Sequence, residues 1–214
     1  MTKILKAQPR SRAEQTEARR KAILEAALEE FSLKGFAMTR MEDIATKAGV
    51  GKGTVYLHFS DKETLFEEIL KVHIIPILKN LEGASCADLP LRTQIEEIFR
   101  PFLHRLDNPK LVQIFTLIIT EMPRFPKLAD IYYRLVIERG TTAINELLAQ
   151  RTPTPTSRTL AEFPQLLIAP VLIGTLWTII FSTQRKLDVD KMLAAHLDLL
   201  FPETSATTEV QRHE

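Results

Sequence analysis

The chain of 214 residues holds one cysteine, Cys86, so no internal disulfide can staple it. A lone thiol fits a reducing compartment and makes a cytoplasmic location the expectation. Glycine is scarce, at seven, and runs with strand periodicity are few, which points toward helices. The five histidines (His58, His73, His104, His196 and His213) include no pair at metal-ligand spacing, and one cysteine cannot complete a site. No metal is therefore expected. Nucleophile motifs, phosphate-cradling glycine loops and signature carboxylate pairs are also missing, so neither catalysis nor a cofactor is expected. The basic start Met1-Thr2-Lys3-Ile4-Leu5-Lys6 has no apolar stretch behind it and does not read as a secretory leader.

What is present is an ordinary globular composition, 45% hydrophobic and 26% charged, enough for one or two cores. The twelve prolines fall mostly between periodic segments. A net charge of +1 hides an asymmetry: residues 1–60 carry eleven Lys/Arg against seven Asp/Glu, which leaves the remainder acidic. A basic amino-terminal part on an acidic body is a footprint of nucleic-acid binding.

The pattern predicts an all-α fold of about nine helices. Residues 1–13 lack periodicity and read as a flexible basic arm. Ile23, Ala27 and Phe31, with Leu24 and Leu28 beside them, form an apolar stripe, and Glu25, Glu29 and Glu30 take the other face. Gly35 stands where a left-handed cap is wanted. Thr39-Arg40-Met41-Glu42 and Ser60-Asp61-Lys62-Glu63 read as capping boxes opening further helices. The helix after the second box is expected to span residues 61–80, with Pro76 as a kink or early stop. Helices are then expected over about 91–106, from Asn108 to near Pro123, from Pro126 toward Gln150, and over about 163–185 and 190–201. Residues 83–90 read as a loop, residues 151–157 as a polar linker and residues 202–214 as a flexible tail. The domain boundaries expected are 14–60 and 61–201.

Residues 39–59 read as a helix-turn-helix. Ala45 and Ala48 let a short helix cross its partner closely, and Gly49-Val50-Gly51 permits a sharp turn. In the next helix Val55 and Phe59, four apart, point inward. Lys52, Thr54, Tyr56 and His58 are expected on the outer side, where charge, hydroxyls and methyl surfaces suit phosphates and base edges. Gly53 leaves no side chain, so the helix start can approach a nucleic-acid backbone. Lys62 can reach a further phosphate.

Residues 19–70 resemble the DNA-binding domain of the TetR family of repressors. The likeness rests on Ala26-Ala27-Leu28-x-x-Phe31-x-x-x-Gly35-Phe36 and on Thr39-x-x-x-Asp43-Ile44-Ala45-x-x-Ala48-Gly49-Val50-Gly51-x-Gly53-Thr54-Val55-Tyr56-x-His58-Phe59. Lys62-Glu63-x-Leu65 completes it. The resemblance implies that Thr39 touches phosphate at its cap, that Lys52, Gly53, Thr54, Tyr56 and His58 lie on the recognition helix, and that Lys62 contacts phosphate. It implies double-stranded operator DNA as partner, read near-palindromically by a homodimer. It further implies release by a small molecule whose binding shifts the helix after Asp61.

The same resemblance makes the last two helices the dimer interface. Ala169, Ile173, Leu176 and Ile180 supply one stripe, and Leu193, Leu197 and Leu200 the second. The effector site is expected in the middle helices, lined by Phe99, Phe102, Phe115, Met122, Phe125, Tyr132 and Trp177, with His104 as a polar handle. Such a set implies a mostly apolar effector. Residues 163–184 are 22 consecutive uncharged residues, long enough to span a bilayer, so a membrane-anchored regulator is one rival reading. Pro164, Gln165, Pro170, Gly174 and the hydroxyls of Thr175, Thr178, Ser182 and Thr183 argue against it, and no membrane partner is expected. A helical-body enzyme with an accessory DNA module is the other rival. An activator would carry the same sequence features as a repressor.

Overall fold

The computed structural model describes residues 11–82 and 89–202. Cys86, most of the expected arm and the tail beyond Pro202 lie outside the described residues. The regular elements of the described residues are all helical, twelve α-helices and one π-helical segment. The three helices beyond the expected nine have identifiable causes. The helix after Asp61 divides at Ile74 into α4 (Lys62–His73) and α5 (Ile75–Glu82), with Pro76 in the first turn of α5. The helix from Pro126 is interrupted by the π segment Tyr133–Ile137, leaving α8 (Pro126–Tyr132) and α9 (Glu138–Ala149). The polar linker is a correction: α10 (Pro155–Glu162) forms there, because Thr154 caps it reciprocally with Ser157 and Pro155 is pre-set for a first helical position.

The chain divides into two compact units, Met1–Pro76 with Gln113–Ile137, and Ile77–Val112 with Glu138–Glu214. In the first, α1 (Arg12–Met38) starts from a capping box made by Ser11 and Glu14. Ile23, Leu24, Ala27, Leu28 and Phe31 are buried along it. Gly35, at φ 77°, breaks the rod so that Phe36 turns into the core against Phe31 and Phe125. Both α2 (Met41–Lys47) and α4 pack on α1, α3 (Lys52–His58) packs on α2, and α8 packs on α4. Gly49, at φ 67°, ends α2 in a Schellman motif: its N–H donates to Thr46 and the Val50 N–H to Ala45.

In the second unit α6 (Leu91–Leu103) lies against α11 (Gln165–Phe181) and α12 (Val189–Leu200). Arg92–Asp198, Arg100–Asp190 and His104–Asp190 tie α6 to α12 along their exposed seam. Gly174 lets α11 close on its neighbours, since a Cβ there would stand 3.0 Å from Leu106. Among the described residues no single helix is long and apolar enough to cross a membrane. Only α10 and α11 taken together pass, and they meet at a 62° bend. The remaining helix, α7 (Pro109–Glu121), stops just short of Pro123 as expected.

Candidate nucleic-acid interface

Helix α3 has a buried side and an open side. Val55 and Phe59 are sealed in the core, as their spacing predicts. Lys52, Gly53, Tyr56 and Leu57 are exposed, while Thr54 and His58 form a half-buried flank. The four alternate positions 52, 54, 56 and 58 thus do not project as one row. A helical turn of 3.6 residues brings Gly53 and Leu57 onto the face of Lys52 and Tyr56 instead. Leu57, 83% exposed, is the member of this face that the sequence reading left out. Its spacing from Gly53 was the available signal, masked by its apolar character.

The open face is preorganised. Lys52 Nζ lies 2.5 Å from Glu42 Oε1 on α2 and 5.8 Å from the centroid of the Tyr56 ring. The Lys52 ammonium holds the Glu42 carboxyl below its usual range, and the carboxylate in turn raises Lys52. A Cβ on Gly53 would meet nothing within 4 Å, so nothing inside the described chain requires a glycine there.

Behind this face, ion pairs fix α2 on α1. Lys34 bridges Glu30 (2.6 Å) and Asp43 (3.2 Å), and Lys47 bridges Glu29 (2.9 Å) and Glu30 (3.5 Å). Glu30 is buried between the two ammonium groups rather than on the polar face expected of it. Its carboxyl is held below the usual range, mainly by the hydrogen bond from Lys34.

Two residues assigned to phosphate are employed otherwise. Thr39 is 1% exposed, and its hydroxyl donates to the carbonyls of Glu30 (3.1 Å) and Gly35 (2.8 Å). It closes the end of α1, and the N-cap of α2 is the next residue, Arg40, in a box with Asp43. Lys62 donates to the carbonyls of Phe36 (2.5 Å) and Ala37 (3.1 Å), with its ammonium 4.7 Å from the centroid of the Phe36 ring. Desolvation in that position pulls Lys62 below the usual lysine range. The cap of α4 also lies one residue later than expected: Asp61, a full carboxylate, accepts from the N–H and hydroxyl of Thr64, in place of Ser60.

Comparison with known proteins decides what this face belongs to. Residues 23–69 match the family profile described as bacterial regulatory proteins, tetR family. Residues 93–154 match that of the AefR-like transcriptional repressor, C-terminal domain. The chain belongs to the TetR family. That is a family of transcriptional regulators rather than enzymes, and the first unit contains its helix-turn-helix DNA-binding domain. The HTH-type transcriptional regulator YhgD of Bacillus subtilis strain 168 is 35% identical over 98 residues, 45% of this chain and 51% of that protein. RutR of Escherichia coli strain K12 is 48% identical over 62 residues, 29% of this chain and 28% of its own. The chain spans about half the length, or less, of the curated relatives it matches. Among solved structures, NalD of Pseudomonas aeruginosa is 28% identical over 88% of this chain and 96% of its own, with a TM-score of 0.63. A TetR-family regulator from Pseudomonas syringae pv. tomato DC3000 shares the fold at 23% identity, 86% and 96% coverage and a TM-score of 0.65.

The residues expected around an effector divide between the units. Phe115, Met122, Phe125 and Tyr132 lie in the first, and Phe99, Phe102, His104 and Trp177 in the second. Phe102 and Phe115 are buried, and burial pushes the Tyr132 hydroxyl up to about 12. His104 is a correction: it stands half exposed at the surface, its ring nitrogen 2.9 Å from Asp190, so it is no inward handle. Trp177 donates its indole N–H to the Arg185 carbonyl at 2.7 Å, which closes the end of α11. An open groove of about 430 Å3 lies elsewhere, in the first unit, lined by Asp61, Glu63, Lys127, Asp130 and Ile131.

The two expected dimer stripes differ. Ile173, Leu176 and Ile180 are exposed on α11, Ile180 by 54%, and Ala169 is half-buried. Leu193 and Leu197 are a correction, at 1% and 0% exposure: the strongest apolar stripe of α12 serves its own unit's core. Leu200 is half-buried, and the large exposed apolar side chain of α12 is Leu199.

Proposed function

We propose that this TetR-family chain is a transcriptional repressor that binds a near-palindromic operator as a homodimer and lets go when a small, mostly apolar molecule binds its helical body. The observation that carries the DNA part is the face of α3, where Lys52, Gly53, Tyr56 and Leu57 stand open above a sealed core. Lys52 supplies charge to phosphate or guanine, Tyr56 a hydroxyl and ring edge, and Leu57 an apolar surface suited to thymine methyls. Thr54 and His58 border the face. The repressor sign draws on NalD, which is the secondary repressor of the MexAB-OprM multidrug efflux pump in its organism. The AefR-like repressor profile over residues 93–154 points the same way. Exposed Ile173, Leu176 and Ile180 support association of two copies. A cytoplasmic location accompanies a partner that is chromosomal DNA.

The test is fluorescence anisotropy on a duplex selected from random sequence by the full chain. Tyr56→Ala is expected to abolish specific binding and Lys52→Ala to weaken it strongly but measurably, with the oligomeric state by sedimentation unchanged in both. Lys52→Ala should also reduce the slope of log K against log salt by about 1. Undiminished binding by both variants would remove α3 as the recognition element. A reporter strain decides the sign, since deletion of a repressor raises transcription from the selected site.

A further inference from the structure

Gln94 lies on α6 in the second unit and is 3% exposed. Neither its amide nitrogen nor its amide oxygen has a hydrogen-bond partner among the described residues. The other buried polar side chains described in that unit are hydrogen-bonded: Thr175 donates to the Val171 carbonyl and Ser157 is in its capping box, while Arg92 and Arg100 of α6 pair outward with α12. A buried carboxamide with both ends idle is costly, because water satisfied it in the unfolded chain. Leucine has nearly the same volume and would sit there without that cost. Ile95, Phe102 and Leu103 seal much of α6. Leu91 and Ile98, one turn before and one turn after Gln94, are half-buried.

We propose that Gln94 is the polar recognition group of the effector site, and that the effector is an uncharged, largely apolar molecule carrying a cis amide edge, as in a lactam or imide. This rests on the effector-responsive reading above. A cis amide places an N–H and a C=O side by side in one plane. That edge pairs with a carboxamide through two parallel hydrogen bonds and satisfies both idle ends at once. An ion is disfavoured, since burying a bare charge costs far more than burying an amide. A ketone of the same shape supplies an acceptor alone and leaves the Gln94 oxygen unmet.

The test is isothermal titration of the full chain with the small-ring lactams whose amide is held cis, from 2-pyrrolidinone to the eight-membered 2-azacyclooctanone, each against the cycloalkanone of the same ring size. For at least one ring size the lactam should bind about 10-fold or more tighter than its ketone. Gln94→Leu should bind the two alike, and its thermal midpoint should rise by about 2–4 °C as the idle amide is removed. Equal or absent binding of lactams and ketones across the series overturns the assignment, and so does a lowered midpoint in Gln94→Leu. Operator binding measured on the same preparation keeps the two proposals apart. Its loss defeats the regulator reading, whereas a flat titration with operator binding intact defeats only the role of Gln94.

Discussion

At the scale of single residues, the helix-turn-helix domain separates demands of the fold from demands of a partner. Gly35 is required by the fold: at φ 77° a side chain is strained, and its Cβ would stand 3.3 Å from Glu121 Oε1. Gly35→Ala is expected to destabilise the chain by about 1–3 kcal/mol in urea unfolding. Gly53 is free of such demands. Gly53→Ala should leave folding intact, or improve it by about 0.5–1 kcal/mol, while weakening operator binding, because only an approaching duplex would meet the new methyl. Glu42 restrains Lys52 and would itself face phosphates, so Glu42→Gln should tighten DNA binding roughly 2–5-fold at low salt. Glu30 sets an acid limit. Its carboxyl is held below the ordinary 4.5 by Lys34, so the stabilisation it provides is present above that value and is lost as pH falls through the lowered one. Glu30→Gln should flatten the acid limb of a stability-against-pH curve below about pH 4.5.

At the scale of elements, the helices were legible where apolar spacing and turn glycines agree. The stripe of α1, the Gly49 turn and inward Val55 and Phe59 all stand as their periodicity predicts. The caps of α2 and α4 each lie one residue later, because a sequence pattern cannot tell which of two adjacent groups wins the amide. Thr39 is already spent on α1, and Asp61 outcompetes Ser60. Lys62 misled for a similar reason: its carbonyl partners are 25 and 26 residues away, and no local spacing announces them. The stripe on α12 was real but turned inward, since an amphipathic pattern does not say whose core it fills. These two faces predict opposite outcomes. Leu193→Asp should prevent folding, whereas Ile180→Asp should yield a folded chain of lower mass in sedimentation. The unpaired Gln94 left no trace in the sequence, where a polar residue on an amphipathic helix reads as solvent-facing.

At the scale of the whole molecule, each compact unit is assembled from two separate stretches of chain, and the backbone changes unit at 76/77, 112/113 and 137/138. The first unit therefore borrows residues 113–137 from the middle of the sequence. Phe125 covers Phe36 at 5.2 Å between ring centroids, Arg134 pairs with Glu67, and α8 packs on α4. The DNA-reading head is consequently no cassette. Engineers who swap such heads between sensors by cutting after the fourth helix would carry away a fragment with one wall missing. Residues 11–76 produced alone should melt well below the full chain, and a chimera should regain its operator affinity only when a matched 113–137 segment travels with the graft.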